Sequence, residues 1–249
     1  MDFALAAAFF APGLALGSFL NVVAARVPLR RSLVRPGSAC MSCRAPIAWY
    51  DNLPLLSYAL LRGRCRACDV RIPMRYPAVE LATAGLAAGC ALAFGLTLHA
   101  LVAAFFCAVL VVLSAIDLER RIIPTRIVVP AFAVVLAAQT ALDPSPEWAL
   151  AALGASAFLF VAVLAHPNGM GMGDVRLAWL MGAMLGRTVP VALMAGMIAA
   201  LLPSAVLFAR HGVAARKMKI PFGPFLAVGS VVALFAGHTL LDAYLSLLH

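Results

Sequence analysis

Apolar stretches of bilayer length recur along this chain from one end to the other, and that recurrence limits what it can fold into. A helix rises about 1.5 Å per residue, so a run of about 20 apolar residues matches the roughly 30 Å hydrocarbon core of a membrane. The runs lack the period-2 alternation of barrel strands. Only 12% of the residues are charged and 64% are hydrophobic, with mean hydropathy +1.01. A soluble domain carries about a quarter charged residues. The expected fold is therefore all-α: a polytopic helical membrane protein of about eight transmembrane helices with one small polar loop domain.

The expected spans are 3–25, 78–98, 100–116, 127–142, 148–165, 174–186, 188–208 and 224–246. The first is read as retained, because Asp2 stands where a signal peptide has basic residues and the apolar stretch is too long for one. The sixth, at 13 residues, is short for a crossing and suits a half-length helix beside a water-filled cavity. The chain divides into a first span (1–25), a polar tetracysteine domain (26–77) and a membrane domain (78–249).

Charge supports this layout. With eight spans, every one of the 19 lysines and arginines except Arg187 falls on one face. The positive-inside rule makes that face cytoplasmic and places both termini outside. Orientation and attraction to anionic lipid account for the net charge of +9, so no nucleic-acid partner is expected.

Loop 26–77 holds Cys40-Met-Ser-Cys43 and Cys65-Arg-Ala-Cys68, two C-x2-C pairs separated by 21 residues. Each pair can form a knuckle donating two thiolates, and four thiolates close a tetrahedral Zn²⁺ shell. A loop this small cannot fold on apolar burial alone, and a structural metal supplies the missing stability. Two disulfides are the alternative, and a reducing cytoplasm argues against them. Cys90 and Cys107 lie within spans and read as small buried side chains. Between the cysteine pairs runs WYDNLPLLSYALLRGR, whose aromatic and leucine residues suit packing on the metal core or anchoring at the membrane surface.

Of the acidic residues, Asp117 and Asp174 stand apart. Asp117 closes the third span in AIDLERRIIP and Asp174 opens the sixth in GMGMGDVRL, at the same depth on the cytoplasmic side. Ionisable groups bordering a span are functional candidates. Two carboxyls brought together share a proton: one takes a proton from water while the other donates to a carbonyl oxygen, so water attacks a peptide bond directly. Gly171 and Gly173, lacking a Cβ, let a substrate backbone approach. Helix capping is the competing use of Asp174. Nothing in the sequence forms H-E-x-x-H, a nucleophile arrangement or a phosphate-binding loop.

Five motifs in order give the chain a resemblance to the type IV prepilin peptidases: GSFLNVVAARVP, the tetracysteine loop with WYDNLPLLSYALLRGRCRAC, RYPAVE, AIDLERRIIP with GMGDVRL, and IPFGPFLAVG. Arg176 replaces the family's usual lysine, and GMGMGD replaces its commoner glycine run. The resemblance implies catalysis by Asp117 and Asp174 in the inner (cytoplasmic) membrane. The implied reaction removes a basic leader after glycine from type IV prepilins or type II secretion pseudopilins. It also implies methylation of the new N-terminus by S-adenosylmethionine, with no residues assigned to that step. Two other classes compete: a proton-coupled transporter using the two aspartates as a relay, and a metal-stabilised membrane scaffold.

Overall fold

The computed structural model describes residues 2–165, 170–212 and 220–247. Among them the chain is helical: α1 (Asp2–Arg26), α2 (Leu56–Leu60), α3 (Arg75–Phe94), α4 (Leu98–Arg120), α5 (Thr125–Leu142), α6 (Glu147–Ala165), α7 (Met172–Leu185), α8 (Val189–His211) and α9 (Gly223–Ser246). All except α2 coincide with expected spans. Exposed Leu150, Leu153, Val161 and Leu164 on α6 show the surface that such helices give to lipid.

Among the described residues seven helical segments are long and apolar enough to cross a membrane, because the expected sixth and seventh spans lie in one run, Met172–His211. A 3-10 turn, Gly186–Thr188, divides it into α7 and α8. Gly186 has φ +52°, a left-handed conformation that ends α7 after 14 residues. That makes α7 about 21 Å long, short of the hydrocarbon thickness. Arg216, Lys217 and Lys219, used in the charge argument, lie outside the described residues.

Two compact units divide between Ile116 and Asp117. In Met1–Ile116, α1 packs on α3 through small residues. A β-carbon at Gly13 would lie 2.8 Å from Cα of Ala84, and one at Gly17 would lie 2.6 Å from Cα of Glu80. Helices in lipid associate by such close packing, since apolar burial drives them little there. The Asn21 amide donates to the Tyr76 carbonyl at 3.1 Å, adding a polar tie between α1 and α3. Cys90 and Cys107 are free and buried, as expected, with sulfurs 3.9 Å apart.

In Asp117–His249, α6 meets α7 where Gly182 faces the backbone of Ala152, and α8 meets α9 where Gly229 faces the Ala192 carbonyl and Gly196. The buried Gln139 side chain donates to the Met184 carbonyl at 3.1 Å, holding α5 against the end of α7. The Arg187 amide donates to Glu147 Oε1 at 2.7 Å and secures the turn after α7. The α8–α9 seam predicts a large effect of size at position 229. Gly229→Val forces two backbones apart, at about 1–3 kcal/mol or more. Membrane-inserted protein should fall several-fold on quantitative immunoblots; accumulation equal to wild type would contradict the seam.

Candidate active site and metal centre

Asp117 sits on the last turn of α4 and is 5% exposed; Asp174 sits on the first turn of α7 and is 7% exposed. Both carboxyls are anchored by backbone N–H groups of glycines. Gly223, at the start of α9, donates to Asp117 Oδ2 at 3.0 Å, and Gly171 donates to Asp174 Oδ2 at 3.2 Å. The Asp174 amide in turn donates to the Gly171 carbonyl at 3.1 Å. Asp174 therefore does cap α7, from the third helical position, with Gly171 as the N-cap residue.

Ile123, in the connection after α4, packs between the two glycine-rich starts. A β-carbon at Gly173 would lie 2.9 Å from Cβ of Ile123, and one at Gly223 would lie 3.3 Å from its Cδ1. The first turns of α7 and α9 thus converge on residues 117–123. Asp117 and Asp174 lie close enough to interact electrostatically. Arg176 Nη1 donates to Thr125 Oγ1 at 2.9 Å, tying the start of α7 to the start of α5. At Gly171 an added β-carbon would meet nothing closer than 3.8 Å among the described residues, Asp174 Oδ2 being one of the two atoms at that distance. Of the two motif glycines, Gly171 leaves room beside the carboxyl among the described residues, whereas Gly173 accommodates Ile123.

The four loop cysteines form one cluster, every sulfur within 4.8 Å of the others and Cys40 3.8 Å from Cys68. Tetrahedral thiolates at about 2.3 Å from Zn²⁺ stand about 3.8 Å apart, so the donor set fits zinc. The two knuckles share one construction. The Cys40 amide donates to the Ala45 carbonyl and the Arg44 amide returns to the Cys40 carbonyl; Cys65, Val70 and Asp69 repeat the pattern. Isolated bridges Ala39–Pro46 and Arg64–Arg71 close each knuckle. The backbone N–H groups of Cys43 and Ser42 pull the Cys40 thiol down to about 6. The Val70 N–H acts in the same sense on Cys68, but burial and hydrogen bonds with Cys43, Cys65 and Cys40 push that thiol up to about 12. Protons that one thiolate holds on its neighbours are those a divalent cation displaces.

Between residues 26 and 76 only Ser57 and Gly63 are buried, so this loop has no apolar core of its own. Trp49 is 79% exposed and Leu60 74% exposed, so neither is buried against the cysteine cluster. Arg66 clasps Asp51 through two hydrogen bonds of 2.8 and 2.6 Å, which hold the Asp51 carboxyl below its ordinary value.

Sequence reading missed three residues that the structure brings forward. Gly223 holds Asp117 across 106 positions; its only signal was membership of the IPFGPFLAVG motif. Glu80, the last residue of the RYPAVE motif, is 8% exposed inside α3. Its Oε2 accepts the Leu55 N–H at 2.9 Å. Asn21, within the first-span motif, is 4% exposed, and its Oδ1 has no partner among the described residues.

Comparison with known proteins gives this arrangement a family. Residues 12–94 match the family described as Bacterial Peptidase A24 N-terminal domain, and residues 104–208 match the Type IV leader peptidase family. The Prepilin leader peptidase/N-methyltransferase of Bacillus subtilis (strain 168) is 35% identical over 245 residues, covering 94% of this chain and 96% of that protein. The protein of the same name from Aeromonas hydrophila is 32% identical over 266 residues, covering 94% and 91%. That from Myxococcus xanthus is 41% identical over 183 residues, covering 71% and 55%. No solved structure matches the chain. The chain belongs to the type IV leader peptidase family.

Proposed function

We propose that this protein is an aspartyl endopeptidase of the inner membrane that removes the basic leader of type IV prepilins or type II secretion pseudopilins, after glycine and at the cytoplasmic face. It then methylates the new N-terminus with S-adenosylmethionine. The observation that carries the peptidase reading is the buried pair Asp117 and Asp174, each fixed through one oxygen by a glycine N–H. The remaining oxygens are left for proton chemistry. A water held between the two acids loses a proton to the ionised carboxylate and attacks the scissile carbonyl. The protonated carboxyl donates to the carbonyl oxygen, and the C–N bond then breaks with proton return to the leaving amine. Substrate backbone passes over Gly171, where space adjoins Asp174. Gly173 supports this by seating Ile123.

A prepilin suits such a site, with a basic leader that stays in water and an apolar helix that enters the bilayer. The tetracysteine loop binds one structural zinc through Cys40, Cys43, Cys65 and Cys68, and it stands in the cytoplasm with both termini outside. No observation favours the transporter or the non-catalytic scaffold. Purified protein in liposomes should release the leader from a synthetic prepilin and, with S-adenosylmethionine, add one methyl group, both read by mass spectrometry. Intact prepilin after prolonged incubation would contradict the reading.

The Asp117 anchor gives a sharper expectation. A β-carbon at position 223 would lie 2.8 Å from Asp117 Oδ2. The carboxyl is the end of a flexible side chain and swings aside, so Gly223→Ala should keep the fold and slow leader release by at least about tenfold, the scale of a mispositioned catalytic group. Wild-type kinetics from that variant would remove Gly223 from the site.

A further inference from the structure

A cavity of about 440 Å³ lies within the first unit, between α1, the cysteine loop and α3. That size falls in the range of small-molecule sites, about 300–1,000 Å³. Tyr50, Tyr58 and Tyr76 line it together with aliphatic side chains, and Glu80 and Asn21 supply polar groups to its wall. We propose that this cavity is the methyl-donor site, with Glu80 and Asn21 Oδ1 receiving the cationic end of S-adenosylmethionine. The inference rests on the methyltransferase reading above and assigns residues to it.

Three observations point this way. First, Asn21 is 4% exposed and uses its amide N–H on the Tyr76 carbonyl, while its Oδ1 accepts nothing among the described residues. A buried acceptor without a donor is destabilising unless something fills it. Second, Glu80 brings a carboxylate to the same wall. A carboxylate and an amide oxygen together select an ammonium or sulfonium cation. Third, of the other charged side chains on the wall, Asp51, Arg66 and Arg26 are already engaged. Asp51 is paired with Arg66, and Arg26 donates to the carbonyls of Ser32, Leu33 and Gly37.

Glu80 also holds the wall itself. Leu55, at φ +57°, occupies the left-handed region, and its N–H is the one Glu80 accepts. Such conformations persist where surroundings enforce them, and they cluster at ligand sites. When the methyl group transfers, the C–S bond of the sulfonium breaks and its electron pair stays on sulfur, leaving a neutral thioether. The amine lone pair forms the C–N bond, and the methylated amine sheds one proton.

The test is equilibrium dialysis of zinc-loaded protein in nanodiscs with S-adenosylmethionine and S-adenosylhomocysteine. Glu80→Gln keeps the shape and the acceptor for Leu55 but removes the charge; Asn21→Ala removes Oδ1. Each should weaken S-adenosylmethionine binding by at least about tenfold, the scale of a charged hydrogen bond, with zinc content unchanged. Photolabelling of the wild type with radioactive S-adenosylmethionine needs no variant to fold, and should mark peptides within 18–26 or 38–80, which hold the cavity wall. Wild-type affinity in both variants, or label confined elsewhere, overturns the assignment while leaving methylation standing. A wild-type protein that neither binds the donor nor methylates overturns both.

Discussion

Asn in place of Asp117 or of Asp174 leaves a prepilin uncut. The substitution changes almost nothing but the proton. Asn matches Asp in size, and its Oδ1 can still accept the Gly223 or Gly171 N–H that anchors each carboxyl. It cannot ionise, so it neither takes a proton from water nor gives one to a carbonyl oxygen. Removal of a positioned acid or base slows a reaction by about 10²–10⁴-fold, and two acids acting on one water fail together when either is lost. Leader release by the purified variants should drop by at least that factor. The helices should still insert, because their packing depends on the Gly182 and Gly229 seams rather than on the carboxyls. Normal processing by both variants would leave the pair with capping alone.

Loss of the cysteine cluster should be nearly as severe, but for the other activity. With only Ser57 and Gly63 buried between residues 26 and 76, the loop has no apolar centre that could organise it in place of a metal. Substitution of Ser for both Cys40 and Cys43 should lower zinc from about one per chain to none, the consequence of halving a four-thiolate shell. The loop should then become protease-sensitive, as small metal domains do without their ion. Methylation should be lost and cleavage reduced less, since the two aspartates stand in the other unit. Metal-free protein with four free thiols, an intact loop and normal methylation would refute this.

Much of this molecule is legible in its sequence, for a physical reason. Lipid demands long apolar helices, so hydropathy alone locates α1, α3, α4, α5, α6, α8 and α9, and even the shortness of α7 shows as a 14-residue helix where 13 were expected. Helix ends are less legible. Arg120 is polar yet helical, because a terminal turn can project charge beyond the apolar core. The cysteine spacing announces a cluster, since adjacent knuckles are local structures.

What sequence hides is contact between distant positions. The Gly223–Asp117 bond, the Gln139–Met184 bond and the Glu80–Leu55 bond leave no periodic mark along the chain. Glycine at 173 reads as open backbone, whereas its missing Cβ is matched to Ile123. Only three-dimensional packing separates Gly173 from Gly171, which no described residue crowds.

A prepilin peptide whose scissile amide is replaced by a hydroxyethylene group tests the pairing of the two acids most directly. Its hydroxyl occupies the place of the attacking water, and transition-state mimics bind at least about 10²-fold tighter than substrates. Convergence of Asp117 and Asp174 on that one position predicts tight competitive binding to the wild type and a comparable, at least hundredfold loss in Asp117→Asn and in Asp174→Asn. Equal affinity for all three proteins, or a loss confined to one aspartate, would contradict a shared site.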